Sequence, residues 1–179
     1  GATAAGLDRF ELAVTASDMV ARGAAAETGW IEALDRMTAA AACEAAGLLR
    51  AMLHQTVAYA RQRTQFGQSI GSFQVVQHRL ADMLVDVEQA HSLALAAIRA
   101  PGNGALVSAA KARADRSLRF VSDQAVQLHG GIGTTQELAL NRYFRRAMAL
   151  VREFGSAGQH LARVEAGLVT RMHSPWISA

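Results

Sequence analysis

Between Trp30 and Gln62 the apolar residues Ile31, Leu34, Met37, Leu48, Leu49, Met52, Leu53 and Val57 recur at helical spacing on one side of the chain. A one-sided stripe of that length predicts a long amphipathic helix, which is stable only if other helices cover the stripe. The rest of the sequence supplies them. After the Gly67 and Gly71 break, Ser72 is placed to cap a second helix on which Phe73, Val76, Leu80, Met83, Leu84 and Val87 repeat at three and four. The turn "APGNGA" at 100–105 precedes a third helix from about Leu106 to Leu128. A fourth is expected from about Gln136 to Arg152 and a fifth from about Ser156 to Arg171. Long helices joined by short loops predict an all-α fold, an antiparallel four-helix-type bundle of about five helices spanning residues 29–179.

The first 28 residues break this pattern. In "RFELAVTA" the apolar Phe10, Leu12 and Val14 alternate with Glu11 and Ala13, the period-two signature of a strand, and "ARGAAAETG" reads as a loop. A lone strand is not stable. It either borrows a sheet or is the remnant of a domain absent from this chain.

Several function classes are disfavoured by simple features. Fifteen acidic and 18 basic residues leave a net charge of +3, but the basic residues are scattered, so nucleic acid is not expected as a partner. No run of 18 apolar residues occurs, and "GATAAGLDRF" lacks the charged-then-apolar order of a signal peptide. The expectation is a cytoplasmic protein without a membrane span. The single Cys43, in "AAAACEAAG", reads as a small helix residue rather than a reactive thiol. Metal is not expected either. A di-iron bundle needs two Glu-x-x-His pairs, and only Glu88 with His91 fits, both read as solvated. His54, His78, His160 and His173 stand singly and read as surface or capped residues, and no serine or cysteine sits in a nucleophile elbow.

What remains unexplained are two glycine-bearing breaks, "RQRTQFGQSIGSFQ" and "QLHGGIGTTQE". Glycine inside a helix costs about 1 kcal/mol relative to alanine, so Gly130, Gly131 and Gly133 require a reason. Two readings are open. Glycine commonly caps a helix C-terminus, and paired glycines at a helix end also leave backbone N–H groups uncovered, as a phosphate site needs.

The stretches "YARQRTQFGQSIGSFQVVQHRLADM" and "AVQLHGGIGTTQELALNRYFRRAMAL", about 50 residues apart, closely resemble the C-terminal helical domain of the acyl-CoA dehydrogenases over roughly Trp30 to Arg171. These flavoproteins oxidise an acyl-CoA thioester to the 2,3-enoyl thioester. The resemblance implies that "RFELAVTA" is the last strand of a middle β domain, with residues 1–28 its tail end and linker. It also implies FAD at a subunit interface of a homo- or hetero-oligomer, with electrons passed to an electron-transfer acceptor. By the same resemblance Arg63 reaches the pyrophosphate, Phe66 lies beside the cofactor and Gln74 is near the same end. Gln127, Leu128, His129, Gly130 and Gly131 pass against the adenosine diphosphate, where a glycine side chain would collide with it. Glu137 and Arg145 follow this loop and read as structural.

The catalytic position departs from the family. The reaction needs a carboxylate to remove the α proton while hydride passes to flavin. In the commonest branch that glutamate lies 23 residues after the second glycine of the pair, which here is Phe154 in "REFGSAG". Glu153 is adjacent, but one helical step turns a side chain by about 100 degrees. A second branch places the base on the first long helix, where this chain has Met37; Asp35 and Glu32 are two and five residues out of register, and Asp35 is carried as the candidate. Two expectations follow: a working FAD-dependent enzyme with an unusual base, or a non-catalytic partner subunit that completes the FAD site of a catalytic homologue. The "FGSAGQH" ending resembles the non-glutamate sequences of heteromeric acyl-CoA dehydrogenases in bacterial steroid degradation.

Overall fold

The computed structural model describes residues 23–130 and 139–172. The "RFELAVTA" segment, Gly131, Gly133, Glu137 and His173 lie outside them. The first helix, α1 (Ala24–Gln62), begins earlier than the apolar stripe suggested. Ala24, Ala25 and Ala26 are strong helix formers, and Gly23, at φ 68°, accepts the first backbone bonds from Ala26 and Glu27, so "GAAAE" is helix entry rather than loop. Its apolar stripe also starts later, since Trp30, Ile31 and Met37 stand exposed and burial begins at Thr38 and Ala39.

After α1 the chain turns through a two-residue hairpin in place of a plain interruption. Strand β1 (Thr64–Gln65) pairs antiparallel with β2 (Gln68–Ser69), Thr64 opposite Ser69 and Gln65 opposite Gln68. The connecting Phe66 and Gly67 have φ of 52° and 79°, the left-handed pair that a tight hairpin of this twist requires. A short 3-10 turn (Ile70–Ser72) leads into α2 (Gln74–Arg99). Ser72, expected from the sequence to cap α2, does not do so; its hydroxyl donates back to the Ser69 carbonyl at 2.6 Å, and Phe73 occupies the capping position without a side-chain bond. Asn103 does cap α3 (Gly104–His129), accepting from the Leu106 N–H at 3.0 Å. The last helices are α4 (Ala139–Leu150) and α5 (Ala157–Met172).

The core lies where α1, α2 and α3 meet. Small side chains dominate it, with Ala42, Ala45 and Ala46 of α1 buried with Ala90, Ala94 and Ala97 of α2 and Ala110 and Ala114 of α3. Larger residues, Leu49, Met52, Met83, Leu118 and Val121, fill the middle. Helix α5 packs on α3, and α4 packs on α1 and α3, burying Leu140, Ala147 and Leu150. None of the described helices is long and apolar enough to cross a membrane.

One buried pair is ionic. The side chain of Lys111, the chain's one lysine, is 1% exposed and donates to both carboxylate oxygens of Asp115, 2% exposed, at 2.6 and 2.7 Å. Burial raises the Asp115 pKa above the ordinary aspartate range, and the Lys111 ammonium opposes the rise. Removing one partner of such a pair strands the other charge, whereas removing both need not cost stability. Asp115→Ala is expected to lower the unfolding free energy by about 3–5 kcal/mol. The double change Lys111→Met with Asp115→Leu should recover most of it in urea denaturation, and equal losses in both variants would refute a cost that comes from the stranded charge.

Candidate functional site

The residues singled out in the sequence separate into two groups at opposite ends of the bundle. The first group gathers where α1 and α3 finish and α2 starts. Arg63 is the C-cap of α1, in extended conformation, its N–H donating to the Tyr59 carbonyl at 2.9 Å. Its guanidinium is exposed and without a protein partner among the described residues. The hairpin is fastened to the same helix end, because the Ser69 hydroxyl donates to the Ala60 carbonyl at 2.9 Å and the Ile70 N–H to the Arg63 carbonyl at 2.8 Å. That anchoring holds up Phe66, 93% exposed, its ring edge-on to Phe73 at 6.4 Å. A bulky residue in the left-handed region is strained, and such strain concentrates at functional sites. Gln74 opens α2 and is exposed.

The end of α3 completes this group. Gln127 is exposed, Leu128 half-buried and Gly130 exposed. His129, however, is buried, its ring stacked on Tyr59 with centroids 4.3 Å apart. Gly130 sits at φ 62° and ψ −146°, a conformation open in practice only to glycine, and a Cβ there would meet nothing within 4 Å. Both proposed reasons for a glycine therefore meet at one residue: it terminates α3, and it presents backbone to open space.

The second group lies about 30 Å away along α3, the rise from Ser108 to His129. Phe154 follows α4 with φ 59°, Gly155 with φ 96°, and the Phe154 ring is half-buried against the core. The loop is held from below. His160, read as a surface histidine in the sequence, is buried, and its Nε2–H donates to the Phe154 carbonyl at 2.8 Å. A carbonyl can only accept, so Nε2 carries the proton and Nδ1 accepts from the Ser108 hydroxyl at 3.2 Å.

The carboxylates near this loop are engaged. Glu153 accepts from Arg146 at 2.8 Å, and the same guanidinium spans to Glu44 of α1 at 2.7 Å, bonds that raise the arginine pKa. Asp35 is clamped through both oxygens by Arg163 of α5, one bond 2.8 Å, and borders a cavity of about 480 Å³ with Ile31, Arg36, Ile98 and Val107. Glu32 makes only an exposed pair with Arg36 at 3.4 Å, and Met37 faces outward. Elsewhere, Glu88 is exposed and near Arg50 at 3.7 Å, His91 is half-buried, and no group of three metal-ligating side chains occurs among the described residues. Burial raises the Cys43 thiol pKa, and the thiol donates to the Ala94 carbonyl at 3.8 Å. Arg145 is exposed on α4.

A family model described as "Acyl-CoA dehydrogenase, C-terminal domain" matches residues 28–168. The chain belongs to the acyl-CoA dehydrogenase family. Acyl-CoA dehydrogenase IpdE2 of Mycolicibacterium smegmatis is 41% identical over 127 residues, covering 70% of this chain and 40% of that protein. Among solved structures, butyryl-CoA dehydrogenase from Megasphaera elsdenii gives a TM-score of 0.80 at 28% identity, over 87% of this chain and 42% of that one. The ChsE4-ChsE5 complex from Mycobacterium tuberculosis gives 0.72 at 29% identity, over 86% of this chain and 41% of that one. The chain thus spans about two fifths of the length of these relatives.

Sequence reasoning missed Tyr59, Ser108, His160 and the Lys111–Asp115 pair as parts of this acyl-CoA dehydrogenase domain. Lys111 and Asp115 at four-residue spacing were open to discovery as a helical ion pair. Tyr59 with His129, and Ser108 with His160, are 70 and 52 residues apart, and no local pattern joins them. The backbone of Gly130 gives a direct test. Gly130→Ala is expected to reduce stability by about 1–3 kcal/mol in urea denaturation, with or without added cofactor; an unchanged midpoint would show that the glycine answers only to a ligand.

Proposed function

We propose that this chain is the C-terminal bundle of an acyl-CoA dehydrogenase-type flavoprotein that completes the adenylate and pyrophosphate end of an FAD site in an oligomer, while contributing no base for α-proton removal. The observation that carries the second half is the state of the carboxylates. The two positions where the family places the base hold Phe154 and Met37, and the nearest alternatives, Glu153 and Asp35, are tied up by Arg146 and Arg163. A base must reach the proton it removes, and Asp35 would first have to leave a bidentate guanidinium clamp.

The first half rests on the fit of the hairpin end to a nucleotide cofactor. Arg63 offers an uncommitted guanidinium to a pyrophosphate, Phe66 an exposed ring to a flat aromatic group, and Gln74 and Gln127 exposed amides. Gly130 lets backbone approach without a side chain. FAD, when bound, supplies the hydride acceptor for oxidation of an acyl-CoA thioester. Asp35 and Arg63 are 28 residues apart on α1 and at its C-cap, about 42 Å of helix rise, so the two ends of the bundle cannot act on the same atoms of one ligand. The likeness to a complex named for two subunits, ChsE4 and ChsE5, favours a hetero-oligomer in which a homologue provides the base. The likeness to butyryl-CoA dehydrogenase and to a solved structure described as a steroid ACAD variant favours a fatty or steroid acyl-CoA substrate.

Two measurements test this reading. Arg63→Ala in the full-length oligomer is expected to release FAD on gel filtration, through loss of a charge-assisted phosphate contact worth about 1.5–3 kcal/mol; stoichiometric FAD in the variant would refute the assignment. The purified homo-oligomer, mixed anaerobically with a panel of acyl-CoAs, should not bleach its flavin, since absence of a general base costs about 10²–10⁴-fold in rate. Bleaching restored by a homologue carrying the glutamate establishes the partner role. Rapid bleaching by the homo-oligomer alone overturns it, and Asp35→Asn then asks whether Asp35 is the base.

A further inference from the structure

We infer that Tyr59 is a positioning residue that sets Arg63 and the Gln127–Gly130 segment in register with each other, an inference that rests on the cofactor reading above. One residue touches both halves of the site. Its backbone carbonyl accepts the Arg63 N–H at 2.9 Å, which ends α1 and fixes where the guanidinium departs. Its hydroxyl donates across to the His129 carbonyl at 3.4 Å, and its ring stacks on the His129 imidazole, planes 24° apart. The imidazole is locked in turn, because its Nδ1–H donates to the Ala125 carbonyl of its own helix at 2.8 Å.

These contacts satisfy three of the last four carbonyls of α3. A helix leaves those carbonyls without intrahelical partners. Here the Gly130 N–H takes those of Gln127 and Val126, the one at His129 accepts from Tyr59, and the His129 ring adds a bond back to the Ala125 carbonyl. The side chain of Tyr59 is thus an interhelical cap on the very turn that carries Gln127 and Gly130. His129, matched by resemblance to a cofactor-contacting position, acts from beneath as the platform of that turn. A pyrophosphate gripped from Arg63 on one side and backbone on the other tolerates little relative movement, since charge-assisted bonds are short and directional.

The test uses the full-length oligomer with Tyr59→Leu, which removes both ring stack and hydroxyl, and Tyr59→Phe, which keeps the stack. Amide exchange by mass spectrometry reads the segment itself, and flavin fluorescence on release reads FAD affinity. Tyr59→Leu is expected to speed exchange at residues 126–130 by about tenfold or more and to weaken FAD by about tenfold, with exchange in the buried stretch Val107–Val121 unchanged; Tyr59→Phe should stay within about threefold of wild type in both. His129→Leu removes the stack from the other side and serves if Tyr59→Leu does not fold. Wild type that holds FAD, with retention unaltered in Tyr59→Leu or His129→Leu, overturns the role of Tyr59 alone. Wild type that takes up no FAD, alone or with a homologue, overturns the cofactor reading and this inference with it.

Discussion

The alanine seam between α1, α2 and α3 is the constraint from which the rest follows. Helix axes approach more closely when the residues between them are small, and packed interiors resist deformation. Ala42, Ala45 and Ala46 against Ala90, Ala94 and Ala110 hold three long helices in close contact over one half of their length, and Leu49, Met52, Met83 and Leu118 fill the other. Helix α1 thereby becomes a stiff rod of 39 residues, about 58 Å long, whose ends cannot move toward each other. Features at one end are thereby kept apart from those at the other.

The two strained non-glycine turns among the described residues lie toward opposite ends of α3. Phe66 and Phe154 are the non-glycine residues with positive φ among those described, and each precedes a glycine that also has positive φ. A left-handed non-glycine residue costs roughly 1–2 kcal/mol, so each turn persists because its surroundings hold it. For Phe66 the holding contacts are the hairpin ladder and the Ser69 hydroxyl on the Ala60 carbonyl. For Phe154 they are the His160 bond to its carbonyl and the packing of its ring on the core. The strain marks the same two places that the resemblance had marked by residue identity.

Much of this was legible in the sequence, for reasons particular to each element. The helices announced themselves through period, through the turn at 100–105 and through the Gly130 end, whose signals are local. The Ser72 cap was misjudged because a serine beside a glycine-rich turn has two local carbonyl and amide partners to choose between, and the 3-10 turn favours Ser69. Exposure of Ile31 and Met37 was invisible because the apolar stripe records only which face could be buried, and not whether another helix reaches that turn. His160 was read as a surface residue for the opposite reason: a lone histidine looks solvated until Ser108 and the Phe154 carbonyl are brought to it by tertiary packing.

The way the Phe154 loop is held does not depend on which side chain stands at position 154. The His160 contact is to a backbone carbonyl, which every residue at position 154 would present, and Ser108 fixes the imidazole from the far side. Glutamate or phenylalanine would leave that bond unaltered. Phenylalanine adds apolar contact with the core where a carboxylate would have to be desolvated, so substitution there need not penalise folding. The neighbouring acidic residues are held in structural bonds, Glu44 joining α1 to α4 through Arg146, which also bonds Glu153, and Asp35 joining α1 to α5 through Arg163. The opposite end is built differently. It presents an arginine with no partner among the described residues, an exposed ring and a glycine backbone. The 154 loop is held by His160 and Ser108 and the end of α3 by Tyr59, so the contacts that shape one are not shared with the other, and a change at position 154 leaves the end of α3 as it is.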